Sequence, residues 1–459
     1  MSRNGNPPPP DARRIAEDEA RGIRFSPDKR TLVHCGKIPD GRYVLPAGVT
    51  AVDNYAFYGC GKDTVIRLHK DVTGIGTGAF AGCGRVEIAG LRHFWLDDAG
   101  ALYDRERKML LHLPADFSGK YSVLPGTRAI DELAFMRCAG LTGVEIPGSV
   151  TTIGDCAFQN CEKLTHAELP SGVTELGHSL FSACTALAAV ELPRRLTEIN
   201  DCAFDGCTAL ADVELPATTT YIGNGAFDGC IKLTGLVLPK SVTAIGIDAF
   251  VGCGSVEAVG NGRYRNDAAG ALLDRKERAL LHLPGDFRGK YAIPEGVAVI
   301  ADAAFCMCEG LTEVTIPESV TEIGNCAFAG CRQLTNAVIP DSVTDIWCSE
   351  TFCGCENLLS VKLSNRAPRI TKQMFMGCRK LTGVEIPDSV TEIGDGAFCG
   401  CESLEHMTIP PGVRHIGDGT FCGCRNLQSV LIPAGVKVAA DAFVGCDKLP
   451  AGAPETPAR

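Results

Sequence analysis

The chain has 459 residues, a formal net charge of −11 and a pI near 5.4. This acidic balance argues against nucleic acid or an anionic membrane as the main partner, and no run approaches the ~18 apolar residues that a membrane helix needs. Its 24 cysteines are too many for an ordinary cytosolic enzyme and too few for a small disulfide scaffold, so their spacing must explain them.

Both ends of the chain are rich in proline and polar residues. Residues 1–21 are predicted to be a disordered Pro-rich tail, and residues 450–459 a second disordered tail. The first segment contains no apolar stretch of the kind that a secretory signal peptide carries. The residues between the tails, 22–449, are predicted to form one repeat domain.

A single period of 23 residues runs through most of the chain. It is kept by fifteen cysteines, each with a Phe three residues before it; one interval is 24, one is 22, and two are 55, which is 23 plus a 32-residue insertion. A period of this length sustained over so many copies indicates a solenoid. The periodic cysteines are Cys60, Cys83, Cys138, Cys161, Cys184, Cys207, Cys230, Cys253, Cys308, Cys331, Cys355, Cys378, Cys401, Cys424 and Cys446.

Residues 381–401 give a clear copy of the repeat. Val384 and Ile386 share one face of a short strand while Glu385 points to the other, and Pro387 ends the strand because it has no N–H to donate. One such coil cannot bury its apolar edge alone. Stacking of coils is therefore expected to supply the core.

The recurring phrase I-P-x-S-V-T-x-I-G-x-x-A-F-x-G-C resembles the BspA-type (Treponema-type) leucine-rich repeats over roughly residues 22–449. The resemblance implies a right-handed solenoid of about fifteen 23-residue coils, with a parallel β-sheet on the concave side and short turns on the convex side. The ninth repeat position departs from the usual pattern, and no asparagine ladder is expected there. That position holds Ser149, Gly172, Arg195, Thr218, Ser319 and Ser389.

Two 32-residue insertions are copies of one another. Residues 99–114 match residues 269–284, and each copy reads as strand, charged turn and strand. Inserted β-hairpin modules are predicted at about 92–126 and 262–294, with a looser third copy at about 22–46. His34, His112 and His282 occupy equivalent places in the three modules, which duplication explains.

Outward strand positions are the candidate binding residues, because packing fixes the inward ones. Stacked glutamates repel one another, and we leave two interpretations open: a solvated, screened acidic face, or a site for a basic protein segment or a cation. Trp347 either fills the one irregular coil or anchors an interface. The candidates are Glu145, Glu168, Glu191, Glu214, Trp347, Leu359, Lys362, Glu385, His406 and Leu431.

The periodic cysteines are predicted to be buried free thiols, because stacked strands hold their Cβ atoms farther apart than a disulfide prefers. Nine cysteines lie outside the period, and four of them form C-x-C with a periodic one. A soft metal site is the alternative reading of those pairs, disfavoured because one member of each belongs to the core. No metal, cofactor or catalytic residue is predicted.

The predicted function is non-enzymatic recognition of a protein ligand through the concave sheet. The family resemblance implies adhesion or a surface antigen, at the cell surface or secreted, with extracellular-matrix proteins as the partner class. The lack of a signal peptide and the many free thiols favour a cytoplasmic scaffold or effector instead. A third reading is a metal or thiol enzyme using the C-x-C pairs or the module histidines.

The repeat pattern stops after Leu449 without a hydrophilic capping coil. Solenoids usually need such a cap. We therefore expect either end-to-end self-association or burial of the last coil under the C-terminal tail.

Overall fold

The structure, a computed structural model, describes residues 8–36, 38, 40–344 and 349–450. It is a parallel β-solenoid of about 17 turns, whereas about fifteen coils were predicted from the sequence. The contacts divide the chain into two compact units. Unit 1 comprises Met1–Lys232 and Ser241–Ala249, and unit 2 comprises Leu233–Lys240 and Phe250–Arg459.

The secondary structure consists of one helix and many short strands. The helix is α1 (Ala12–Ala20). The strands of the first part of the chain are β1 (Arg24–Phe25), β2 (Thr31–His34), β3 (Arg42–Val44), β4 (Ala51–Val52), β5 (Val65–Leu68), β6 (Gly74–Ile75), β7 (Arg85–Ile88), β8 (Phe94–Leu96), β9 (Leu102–Asp104), β10 (Met109–His112), β11 (Ser118–Ser122), β12 (Ala129–Ile130), β13 (Gly140–Glu145), β14 (Thr152–Ile153), β15 (His166–Glu168), β16 (Ala189–Glu191), β17 (Glu198–Ile199), β18 (Asp212–Val213) and β19 (Tyr221–Ile222). Those of the second part are β20 (Leu236–Val237), β21 (Ala244–Ile245), β22 (Val256–Glu257), β23 (Tyr264–Asn266), β24 (Leu272–Asp274), β25 (Ala279–His282), β26 (Arg288–Ala292), β27 (Val299–Ile300), β28 (Gly310–Thr315), β29 (Glu322–Ile323), β30 (Asn336–Val338), β31 (Ser360–Lys362), β32 (Arg369–Ile370), β33 (Gly383–Glu385), β34 (Glu392–Ile393), β35 (His406–Thr408), β36 (His415–Ile416), β37 (Ser429–Leu431) and β38 (Lys437–Val438).

A regular turn contributes one strand to each of two parallel sheets. We call these the first-strand sheet, which contains β15 and β16, and the second-strand sheet, which contains β17 and β19. The pairing register equals the repeat period, as in Glu168 opposite Glu191 and Ile199 opposite Ile222. Equivalent residues of neighbouring turns therefore stack directly on one another.

The core of each unit is built from these stacks. In unit 2 the Phe352 ring is fully buried and lies parallel to Phe328 and Phe375, with centroids 5.3 and 5.8 Å away. Unit 1 has the same arrangement, for example Phe158 and Phe181 at 5.2 Å. Offset parallel stacking at this spacing adds to the burial of apolar area.

The prediction that residues 1–21 form a disordered tail is wrong for the part that the structure describes. Asp11 caps helix α1 by accepting a hydrogen bond from the Arg14 backbone N–H at 3.1 Å. Ile15 is buried in the core of the first turns, and the buried Asp18 accepts a hydrogen bond from Tyr43 at 2.9 Å. The polar composition of this segment suggested disorder, but a mostly polar helix can pack on a core through only a few apolar residues.

Antiparallel strands interrupt the regular turns in both units. β8, β9 and β10 pair antiparallel before β10 joins the parallel strand β12, and β23, β24 and β25 do the same before β27. Tyr121 donates to Asp97 at 2.6 Å, and its counterpart Tyr291 donates to Asp267 at 2.7 Å. These matched bonds tie each insertion to the strand that follows it.

Glycine after the second strand is required by close approach to the preceding turn. A Cβ built on Gly324 would lie 2.4 Å from the backbone nitrogen of Asp302, and one built on Gly394 would lie 2.8 Å from that of Lys372. Neither contact can be relieved by rotating a side chain, since the clashing atoms belong to backbone. The repeated Ile-Gly therefore sets how closely neighbouring turns pack.

We expect Gly324→Ala to lower the free energy of unfolding of unit 2 by about 2 kcal/mol, because the new methyl group pushes neighbouring turns apart. Gly383→Ala is the matched control, since nothing lies within 4 Å of a Cβ at that position of β33. Urea denaturation followed by hydrogen exchange of unit 2 peptides measures both. Equal midpoints for the two variants would contradict the close-approach argument.

Candidate protein-interaction surface

The outward face of the first-strand sheet in unit 1 carries the predicted glutamates. Glu168 and Glu191 are register partners, and Glu145 occupies the same position one turn earlier, paired with Ser122. All of these glutamate side chains are exposed. The predicted stacking of acidic side chains is therefore present, and we call Glu145, Glu168 and Glu191 the acidic ladder.

The acidic ladder lines an open cleft of about 760 Å³. Lys120, His166, Arg194 and Arg195 line the same cleft. The His166 Nε2 atom lies 3.8 Å from a carboxylate oxygen of Glu191, and Ser122 donates to Glu145 at 2.6 Å. The cleft is thus lined by stacked carboxylates and by basic side chains.

Glu214 follows β18 and is exposed, but it does not line this cleft. The basic residues of the cleft were not predicted from the sequence, because only the residue between the two inward strand positions of each coil was considered. His166 could have been found, because it lies two residues before Glu168 and alternation places both on one face of the strand. Arg194 and Arg195 lie in the turn after β16, where strand alternation gives no signal.

Unit 2 has a separate cleft of about 670 Å³ on the corresponding sheet, which we call the mixed cleft. Lys362 and Glu385 are register partners there, and His406 and Thr408 line the same space. The His406 Nδ1 atom lies 2.9 Å from the Ser429 hydroxyl oxygen. Three predicted residues are therefore brought together at one place.

The remaining predicted residues of unit 2 lie outside the mixed cleft. Leu359 and Leu431 are exposed, Leu431 at 66% of its area, and Val338 is exposed at 54% opposite Lys362. Trp347 lies outside the described residues, so its predicted role stays a prediction.

The periodic cysteines are free thiols, and most of them donate to a backbone carbonyl. Cys161 donates to the carbonyl of Phe135 at 3.1 Å, and Cys378 donates to that of Phe352 at 3.1 Å. Almost every periodic thiol is buried, and burial raises the pKa of the half-buried Cys446 to about 11. A thiol held in this way is a poor nucleophile.

Histidines of the insertions are buried. His112 and His282 donate from Nε2 to the carbonyls of Gly84 and Gly254, at 2.9 and 3.0 Å. Burial lowers the pKa of each imidazole to about 4. Among the described residues, no group of three or more His, Cys, Asp or Glu side chains is arranged to hold a metal ion.

Two hydrogen-bond ladders perform the task that asparagine has in other repeats. At the ninth position Ser149, Ser319 and Ser389 each donate to a carbonyl of the preceding turn at 2.7 Å. After the Ile-Gly corner, Asp201 accepts the backbone N–H of Asn224 at 2.8 Å, and equivalent residues repeat this bond. The missing asparagine at the ninth position thus does not leave the turns without a polar ladder.

The family model of the BspA-type leucine-rich repeat region matches residues 35–92, 128–257, 289–366 and 336–450. These segments cover most of the chain. The chain belongs to the BspA-type leucine-rich repeat family. Repeat proteins of this kind are typically non-enzymatic and generally bind protein partners.

A solved structure shows the same fold. A leucine-rich repeat protein from Eubacterium ventriosum is 22% identical, with a TM-score of 0.62 over 79% of this chain and 95% of that one. A leucine-rich cell surface protein from Faecalibacterium prausnitzii is 24% identical over 93% of this chain and 91% of that one, with a TM-score of 0.45. A comparison with curated proteins finds no significant match. No helix in the described part of this BspA-type chain is both long and apolar enough to cross a membrane.

Proposed function

We propose that this BspA-type chain is a non-enzymatic recognition module whose acidic ladder binds a basic segment of a protein partner. The observation that carries the proposal is the open cleft of about 760 Å³ with Glu145, Glu168 and Glu191 stacked along it. Parallel register places the backbones of successive glutamates about 4.8 Å apart, so their side chains lie side by side. Lysine or arginine side chains on an extended peptide can bridge such a row and relieve its repulsion.

The cations at the cleft sharpen what the partner must look like. Lys120, Arg194 and Arg195 line the cleft together with the glutamates, so they would repel a uniformly basic surface while the glutamates attract a short basic segment. A short basic segment with acidic or neutral flanks suits this charge pattern. Adhesion to extracellular-matrix proteins is the finer proposal, and it rests on what the repeat family implies.

Free thiols favour a second candidate, an intracellular scaffold with the same binding face. The periodic thiols donate to carbonyls, and reduced cysteines in such number persist in a reducing compartment. The two candidates differ in location and partner, while both use the acidic ladder.

Charge reversal tests the binding face. Glu168→Lys with Glu191→Lys is expected to weaken binding of a fluorescent lysine-rich peptide at least tenfold, because it replaces two register partners that line the cleft. The matched control is Glu175→Lys with Glu198→Lys, two exposed glutamates with the same 23-residue spacing near or in the second-strand sheet. Both doubles change the net charge equally.

Fluorescence anisotropy at ~0.15 M salt measures the two dissociation constants, and thermal unfolding checks that both variants fold. Equal weakening in the two doubles would show that only the net charge attracts the peptide. Unchanged binding in the Glu168/Glu191 double would refute the acidic ladder as the binding site.

A further inference from the structure

Two outward thiols lie next to each other on consecutive turns of unit 2. Cys399 and Cys422 occupy the same repeat position, 23 residues apart, and both are half-buried at the surface. Their carbonyls accept equivalent bonds, from Gly377 and Gly400, each at 2.7 Å. Besides burial, Cys422 is one of the groups that raise the pKa of Cys399, as expected of side chains on neighbouring turns.

Comparable outward thiols on other turns are followed in the stack by residues that cannot form a disulfide. Met376 follows Cys353, and Ser179 lies between Cys156 and Cys202.

The inward thiols of the same two turns are held differently. Cys401 donates to the Phe375 carbonyl at 3.2 Å, and Cys424 donates to the Phe398 carbonyl at 3.1 Å. Both are fully buried. Both pairs have the same 23-residue spacing. The difference in reactivity that we expect between the inward pair and the outward pair therefore comes from burial and from the carbonyl bonds of the inward thiols.

The spacing of neighbouring turns is close to what a disulfide needs. Stacked backbones lie about 4.8 Å apart, within the range of about 4.4–6.8 Å between Cα atoms that a disulfide spans, whereas the Cβ atoms must approach by a few tenths of an ångström to reach about 4.5 Å. Cys399 and Cys422 lie in half-buried turns, so this adjustment displaces no core side chain. The joined pair would close a loop of one turn.

We propose that Cys399 and Cys422 are a two-thiol modification site that reacts with a low-molecular-weight disulfide such as oxidised glutathione. The Cys422 thiolate attacks one sulfur of glutathione disulfide, forms a mixed disulfide and releases one glutathione thiolate. The Cys399 thiolate then attacks the protein-side sulfur and displaces the second glutathione. Two protein thiols are oxidised, two glutathione molecules are produced, and one intramolecular disulfide remains.

Burial raises the pKa of Cys399, so only a small fraction of this thiol is ionised. We therefore assign it to the second, intramolecular step, in which the high effective concentration of a thiol on the neighbouring turn compensates for the small thiolate fraction. The disulfide would link adjacent turns without involving the acidic ladder or the mixed cleft, because neither Cys399 nor Cys422 lines either cleft.

Differential alkylation of the full-length protein tests the proposal. The protein is incubated with excess oxidised glutathione, treated with N-ethylmaleimide while folded, then denatured and treated with iodoacetamide. Trypsin separates the two cysteines into peptides 381–414 and 415–425. The expected product is the cross-linked pair of peptides, with iodoacetamide on Cys401 and Cys424.

Two variants complete the test. Cys353→Ser, at the same repeat position but without a thiol neighbour, should leave the cross-link intact, whereas Cys399→Ser should leave Cys422 as a glutathione mixed disulfide. Oxidation should raise the unfolding temperature of the wild type by about 5 °C and that of Cys399→Ser by much less. Recovery of both wild-type thiols as N-ethylmaleimide adducts, or of separate mixed disulfides at both, would overturn the proposal.

Discussion

Replacing Phe352 by alanine is expected to lower the free energy of unfolding of unit 2 by about 4 kcal/mol. The ring is fully buried and stacks on a neighbour on each side, Phe328 at 5.3 Å and Phe375 at 5.8 Å. Its loss removes contacts from two interfaces between turns at once. In a solenoid those interfaces supply the stability that a single turn lacks.

Hydrogen exchange of unit 2 peptides, measured together with urea denaturation, reads out this loss. A peptide-level readout is needed because a protein with two units need not unfold in a single step. Leu431→Ala is the matched control: it also removes a large apolar side chain, but one that is 66% exposed, and should change stability by less than about 0.5 kcal/mol. If the Phe352 variant matched this control, the ring stack would not be what joins the turns.

The core of each unit could be predicted from the sequence because period and register coincide. A 23-residue spacing of Phe and Cys can hold only if equivalent residues stack, and Glu168 lies opposite Glu191 as that spacing requires. The same spacing also predicted that the periodic thiols point into the core. Their bonds to backbone carbonyls, such as Cys161 to Phe135, could not be read from spacing, since they depend on side-chain rotation.

Local polar details were harder to predict. Helix α1 was missed because Ile15 is its main buried apolar residue, so composition alone reads as a tail. The aspartate and asparagine ladder was missed because it lies after the Ile-Gly corner rather than at the ninth position, where leucine-rich repeats usually carry asparagine. Which residues share a cleft depends on turn geometry, as Arg194 and Arg195 show.

Acid is expected to destabilise unit 2 by about 2 kcal/mol between about pH 7.5 and pH 5, and by about 3 kcal/mol at pH 4. His282 is the cause: burial against Phe250 lowers its pKa to about 4, from an ordinary value of 6.5. Between these values the unfolded chain binds a proton at this residue and the folded chain does not. Stability is therefore full above about pH 6.5 and falls as the pH drops toward 4.

Unit 1 should lose less over the same range. His112 contributes the same loss, but burial raises the pKa of Asp131 and of Asp228 to about 6. A buried carboxyl with a raised pKa binds its proton more tightly in the folded state, which favours folding as the pH falls below 6. The two effects have opposite signs, so exchange protection of unit 2 peptides should decrease first.

The variant His282→Gln isolates the histidine, because the glutamine amide can still donate to the Gly254 carbonyl and does not titrate in this range. Its urea midpoint at pH 7.5 will fall somewhat through imperfect packing, so the informative quantity is the difference between pH 7.5 and pH 5. That difference should shrink from about 2 kcal/mol in the wild type to a few tenths in the variant. If the difference between pH 7.5 and pH 5 were as large in the variant as in the wild type, other groups would cause the acid sensitivity. Burial would then not be what keeps the His282 imidazole neutral in the folded state.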